Sequence, residues 1–343
     1  MIRYPKYVQK DNNNNILAIT AMSDGAKLEK IDYAINNIKK YGYGVIETPN
    51  VRKSFKLVSS DARTRVNELM ELLKNNEVVY IISARGGEFA MEMLEYLEKE
   101  AKFFNSSKPK WIQGYSDNSL ILYYLTTNYN IATIHASNIN TYAMKNLHLS
   151  LLNTFNLVRG EVKEEFIQKN YDKYQIEELK EDPQNEFNLT EKVKYINLNK
   201  NNSKEEFSGR LIGGCIDVLS ILLGTKYDNT INFCNQFKEE GMIWYIDNYG
   251  LDPTELYRKL WQMKECGWFN NTKGFLIGRT YAIKEVGGFT YEDALNKSIG
   301  KLNVPIIYDV DLGHTEPQFV IVNGSFSNFI YENGKGTLIQ KLI

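Results

Sequence analysis

The chain has 343 residues, 43% hydrophobic and 24% charged, with a formal net charge of −1 at pH 7. These are globular proportions, and the length suits two domains with cores of their own. A near-neutral chain carries no overall field to draw in a nucleic-acid polymer or an anionic membrane. No stretch approaches the roughly 18 consecutive apolar residues of a membrane span. The opening MIRYPKYVQKDNNNN lacks the apolar run of a secretory leader, so a soluble, cytoplasmic protein is expected.

In chain order, Ile16–Thr20 reads as a strand. Leu28–Tyr41 reads as a helix, with Leu28, Ile31, Ala34, Ile35 and Ile38 at helical spacing, closed by Gly42 and Gly44. A strand begins at Val45–Ile46. Asp61–Lys74 reads as a helix capped by Ser60 or Asp61. Val78–Ser83 is rich in β-branched and aromatic residues and predicts a strand. Glu88–Lys102 is helical in pattern, and Trp111–Gln113 is a short strand. This alternation predicts a parallel sheet with helices on both faces.

The residues from about 160 to 208 are polar, interrupted by Pro183 and weakly periodic. They are expected to connect an N-terminal α/β domain (1–160) to a C-terminal mixed β/α domain (209–343), the connector being 161–208. In the second half, Gly213–Gly214 precede a helical pattern over Val218–Leu223, and Met242–Ile246 reads as a buried strand. Asp252-Pro253-Thr254-Glu255 is a helix start with an N-cap, proline at N1 and glutamate at N3. That helix is expected to run to about Cys266 and stop at Gly267. Phe275–Gly278 and Pro305–Val310 are further strands, and Thr290–Ile299 is partly helical. The tail from Phe319 predicts hairpins turning at Asn323-Gly324 and Asn333-Gly334. The fold class expected is α/β in two domains.

Four segments could carry chemistry. In Lys110–Leu125 a short strand turns sharply at Gly114 into a helix, with Ser116 at the apex. A serine there projects its hydroxyl toward a base, and the N–H groups of Asp117 and Asn118 suit an oxyanion. A serine that merely caps a helix would look the same. His314 lies in a loop just past the strand ending at Val310, where a base often sits. His135 reads as a packed residue and His148 as a surface one. Asp247, at the end of Met242–Ile246, could orient a histidine or simply open the loop before Asp252. Gly86 and Gly87, after Val78–Ser83, permit close backbone approach and can expose N–H donors; a plain strand-to-helix turn is the alternative. The three cysteines, Cys215, Cys234 and Cys266, have neither disulfide-framework nor zinc-site spacing.

Taken together, AITAMSDG, DARTRVNELMELL, VVYIISARGG, GYSDNS, GRLIGGCIDVLSILLGT, IWYIDNYGLDPTELYRKLWQM, GFLIGR and PIIYDVDLGHTEP resemble, in order and spacing, the LD-carboxypeptidase family of serine peptidases. That family includes the microcin C immunity peptidases. The resemblance implies a triad of Ser116 as nucleophile, Asp247 as acid and His314 as base. It also implies an oxyanion hole from Gly86 or Gly87 and Asp117. No metal or organic cofactor is implied. The family usually has glutamate where this chain has Asp247, a side chain one methylene or about 1.5 Å shorter. The expected activity is amide hydrolysis. The expected substrate is a murein peptide met in murein recycling, or a peptidyl- or aminoacyl-nucleotide of the microcin C kind. The alternative is a catalytically impaired protein that binds muropeptide or peptide. A homodimer is implied by the family alone.

Overall fold

The computed structural model describes residues 1–8, 15–162, 164–200 and 203–342. The chain divides into two compact units. The first holds residues 1–163, 177–187 and 320–322; the second holds 164–176, 188–319 and 323–343.

The first unit is built on a six-stranded sheet. Its strand order is Ile321–Asn323, Thr133–His135, Trp111–Gly114, Val78–Ser83, Ile16–Thr20 and Gly44–Glu47. The last five are parallel. Parallel strands covered on both faces are apolar throughout rather than alternating. Accordingly Leu17, Ala18, Ile19, Tyr80, Ile81, Ile82 and Trp111 are all fully buried. Helix Leu28–Lys40 buries Ile31, Ala34, Ile35 and Ile38 of the stripe its spacing predicts, while Leu28, at its first position, is 61% exposed. Helix Ala62–Lys74 starts at Asp61, whose side chain accepts the Thr64 N–H. The expected helix over Glu88–Lys102 is instead a 3₁₀ turn at Ala90–Met93 followed by helices Leu94–Lys99 and Ala101–Ser106. The Ala90 N–H, which has no partner within that turn, donates to the Asp117 carboxylate.

The second unit carries an eight-stranded mixed sheet. Its order is Glu165–Lys169, Lys335–Lys341, Phe326–Glu332, Lys204–Cys215, Met242–Asp247, Thr272–Gly278, Ile306–Val310 and Ile196–Asn197. The four strands from Lys204–Cys215 to Ile306–Val310 are parallel to one another, and the outer ones are antiparallel. Helix Pro253–Glu265 has the full capping box that Asp252 and Glu255 predict.

Two expectations are corrected. Residues 161–208 are not a connector. Glu165–Lys169 and Ile196–Asn197 are strands of the second sheet, while 177–187 pack with the first unit through the Lys30–Glu178 ion pair at 2.7 Å. Strands of two to five residues are too short to show a period against a polar background. Asn323-Gly324 is likewise not a hairpin turn, since the strands on its two sides enter different sheets. The turn at Asn333-Gly334 does close a hairpin, with φ of 49° and 83° at the two residues.

Candidate active site

In the first unit, the strand order reverses direction between Ile16–Thr20 and Val78–Ser83. The carboxyl ends beside such a reversal form the usual ligand crevice of an open α/β sheet. Three loops meet there, following Thr20, Ser83 and Gly114. The last is the serine turn. Tyr115 is extended, Ser116 has φ of +61°, and a 3₁₀ turn over Ser116–Asn118 leads into helix Ser119–Tyr129. A left-handed conformation at a non-glycine residue costs on the order of 1–3 kcal/mol and persists where its surroundings enforce it.

Three braces do so here. The Tyr115 N–H donates to Asn138 Oδ1 at 3.2 Å, and Asn118 Nδ2 donates to the Arg85 carbonyl at 2.8 Å. The buried Asp117 Oδ2 accepts from Ser23 Oγ at 2.5 Å and from the Ala90 N–H at 2.8 Å. Burial pushes the Asp117 carboxyl up, against the pull of these two bonds and of Arg65. Its side chain thus ties the serine turn to the other two loops. The sequence singled out only its backbone N–H.

The two glycines have different neighbours. A Cβ on Gly86 would lie 2.8 Å from both Cβ and Oγ of Ser116, so only glycine lets this backbone approach the hydroxyl so closely. A Cβ on Gly87 would meet Ser23 Oγ at 2.3 Å, which places Gly87 against the loop after Thr20. His135 is buried, with Nδ1 3.4 Å from Ser119 Oγ. His148 is not a simple surface residue. It is half-buried and caps helix Leu149–Val158, its Nδ1 accepting the Ser150 N–H at 3.1 Å.

In the second unit, Asp247 ends a central strand and is fully buried. Its Oδ2 lies 2.8 Å from His314 Nδ1, on a side chain that is 10% exposed. Gly313, at φ +80°, brings the histidine loop up to the carboxylate; a Cβ there would lie 1.8 Å from Asp247 Oδ1. Burial opposes a charged imidazole, but the charge and hydrogen bond of Asp247, with Asp217 and Glu316, outweigh it. His314 therefore stays above its ordinary pKa. The Tyr249 ring covers the imidazole, with centroids 4.5 Å apart. Asn248 closes the turn after the strand by exchanging two hydrogen bonds with Leu251.

The histidine loop is itself clamped. Arg279, which ends the GFLIGR run, is buried. It pairs with the fully buried Asp311 at 2.5 Å, and also donates to Thr315 Oγ1 at 3.2 Å and the Thr315 carbonyl at 3.3 Å. Asp311 Oδ2 accepts from Tyr195 Oη at 2.6 Å and from the Tyr171 N–H at 2.8 Å. Sequence reading missed Arg279 and Asp311. Their only local signal is a charged residue directly after an apolar strand, which is also the pattern of an ordinary surface loop.

It also missed Cys215. This residue is the register partner of Asp247 on the neighbouring strand, and its thiol sits with Asp247 and His314 so that one ligand atom from each lies within 4.8 Å of the others. Burial, with Asp247 and Asp217, pushes that thiol well above its usual pKa.

Comparison with known proteins agrees with this architecture. Residues 17–136 match the LD-carboxypeptidase N-terminal domain, and residues 208–328 match the LD-carboxypeptidase C-terminal domain. A protein of Vibrio cholerae named "Putative carboxypeptidase" is 24% identical over 307 residues, covering 86% of this chain and 85% of its own. One from Bacillus subtilis with the same description is 23% identical over 88% of this chain and 86% of its own. Among solved structures, an MccF-like protein of Bacillus anthracis superposes with a TM-score of 0.80 at 20% identity, covering 98% of this chain and 99% of that one. The microcin C7 self immunity protein MccF, in complex with aspartyl sulfamoyl adenosine, superposes with a TM-score of 0.80 at 16% identity, over 99% and 98%. With both of its domains matched, the chain belongs to the LD-carboxypeptidase family of peptidases.

Proposed function

We propose that the chain is a serine-type amide hydrolase in which Ser116, His314 and Asp247 act together. The observation that carries this reading is the buried Asp247 carboxylate 2.8 Å from His314 Nδ1. That contact fixes the ring so that Nε2 is left to take a proton. His314 accepts the Ser116 proton as Oγ attacks the amide carbonyl. Asp247 stabilises the imidazolium formed. The N–H groups of Asp117 and of Gly86 or Gly87 receive the oxyanion. His314 then protonates the leaving amine, and water releases the acyl group by the reverse sequence. The positive φ of Ser116 supports the role of nucleophile, because it is the backbone of a strained turn between strand and helix.

The substrate class is the amide before a terminal D-amino acid in a murein peptide, or the amide of a peptidyl- or aminoacyl-nucleotide. The structures of MccF with aspartyl sulfamoyl adenosine and with glutamyl sulfamoyl guanosine support the nucleotide class. The family description supports the carboxypeptidase class. The acting form is taken to be a homodimer, as the family resemblance implies.

Ser116→Ala should lower turnover by several orders of magnitude and abolish labelling by a fluorophosphonate probe. Product analysis by mass spectrometry, with a murein tetrapeptide and an aminoacyl sulfamoyl nucleotide offered in parallel, assigns the class. Wild-type turnover in the alanine variant would reject the mechanism. Binding of either compound with neither turnover nor labelling would make the chain a binding protein.

A further inference from the structure

Cys215, Asp247 and His314 bring together three kinds of donor that a borderline-soft cation prefers: a thiol, a carboxylate and an imidazole. They are far apart in sequence, which is why cysteine spacing gives no hint of them. The sheet register unites the first two, since Cys215 and Asp247 are paired residues at the ends of adjacent parallel strands. The loop after Ile306–Val310 supplies the third, pressed against Asp247 at Gly313. Donors mounted on strand ends and on a clamped loop are positioned without much loss of freedom.

We propose that these three side chains form a binding site for a divalent cation of the zinc type, and that the ion holds the protein in a resting state. Zinc bonds of about 2.0–2.3 Å place neighbouring ligand atoms of a tetrahedral site about 3.3–3.7 Å apart. The three ligand atoms, all within 4.8 Å of one another, exceed the upper end of that spacing by about 1 Å at most. Three protein ligands leave a fourth position for water.

A second carboxylate borders the site. Asp217 Oδ2 lies 3.4 Å from Cys215 Sγ, and its two oxygens are fixed by the N–H groups of Tyr249 and Gly250 at 3.0 Å each. In the metal-free protein it accepts the thiol hydrogen bond, so loading gives up that bond together with the proton. Asp217 and His314 are only partly buried, so the cluster has a way to solvent. Binding exchanges the thiol proton for the metal and releases it to solvent, with no change of oxidation state. An imidazole engaged by the cation and drawn from Asp247 no longer serves as base, so loading silences hydrolysis. That silencing rests on the hydrolase reading; the binding does not.

Cobalt(II) titration of the full chain separates the two, because thiolate ligation gives an intense near-ultraviolet charge-transfer absorption. The expected result is one cobalt per chain with that absorption, displaced by zinc, lost in Cys215→Ser and kept in Cys266→Ser. Zinc should also lower wild-type turnover at least tenfold, reversibly with a chelator. Absence of the absorption, or its survival in Cys215→Ser, overturns the site. Full turnover at saturating zinc overturns the resting state. If Cys215→Ser does not fold, His314→Gln should keep the thiolate absorption with at least tenfold weaker cobalt affinity; unchanged affinity overturns the site.

Discussion

Asp247 is enclosed on two sides, by the imidazole at 2.8 Å and by the backbone of Gly313. The glutamate that the family resemblance implies at this position is one methylene longer, and the shorter acid here is met by the close approach of the glycine in the histidine loop. Restoring glutamate therefore overfills the site. Asp247→Glu should destabilise the fold by about 1–3 kcal/mol, as inserted methylenes do in packed interiors, and should lower turnover rather than raise it. Thermal melts and kcat check both. The same pair sets the pH dependence. The His314 pKa is raised above the ordinary 6.5 in the folded protein. Its contribution to stability is thus fully present below about 6.5 and is lost as pH rises through the higher folded value. Turnover needs the neutral ring, so kcat/KM should rise with pH through a midpoint above 6.5, and Asp247→Asn should move that midpoint down. A midpoint unmoved by Asp247→Asn would detach the carboxylate from the base.

The elements that carry these residues differ in how openly the sequence announces them. Ile16–Thr20 and Val78–Ser83 form strands over the ranges their composition predicts, and the capping box at Asp252 and Glu255 forms as written. Their signals are local: a run of β-branched residues, or a cap three residues from its partner. The serine turn was visible as a glycine before a serine, but not its bracing through the Asp117 side chain, which joins residues remote in sequence. The clamp on the histidine loop was hidden for the same reason. Arg279 and Asp311 are buried together, and the charge of each offsets the desolvation of the other. Arg279→Met leaves the buried Asp311 without its cation, held only by the Tyr195 hydroxyl and the Tyr171 N–H, a loss expected at about 3–5 kcal/mol. The double change Arg279→Met with Asp311→Leu should recover much of that stability in urea melts, but not turnover, because the loop would lose its hydrogen bonds at Thr315. A single variant as stable as the wild type would show that the pair does not hold the loop.

At the scale of the whole molecule, the chain does not complete one unit before starting the next. Residues 177–187 return to the first unit after strands of the second have begun, and 320–322 return again near the end. A linear division at 160 and 208 follows composition, and composition carries no trace of a short strand that crosses to a distant sheet. The excursion at 320–322 has a mechanical consequence. Ile321–Asn323 is the edge strand beside Thr133–His135 in the first unit, and the hairpin Phe326–Lys341 lies along Lys204–Cys215 and Glu165–Lys169 in the second. Deleting residues 320–343 therefore strips an edge from one sheet and two strands from the other. The buried Phe207 loses the Phe329 ring, whose centroid lies 5.7 Å from its own, when the hairpin is removed. Unpaired strand edges and uncovered apolar side chains favour aggregation. The truncated chain should be recovered in the insoluble fraction, or should melt without a cooperative transition by circular dichroism. A soluble fragment with a single sharp melt would mean that each unit folds without the returning strands, and that residues 1–319 already contain both cores.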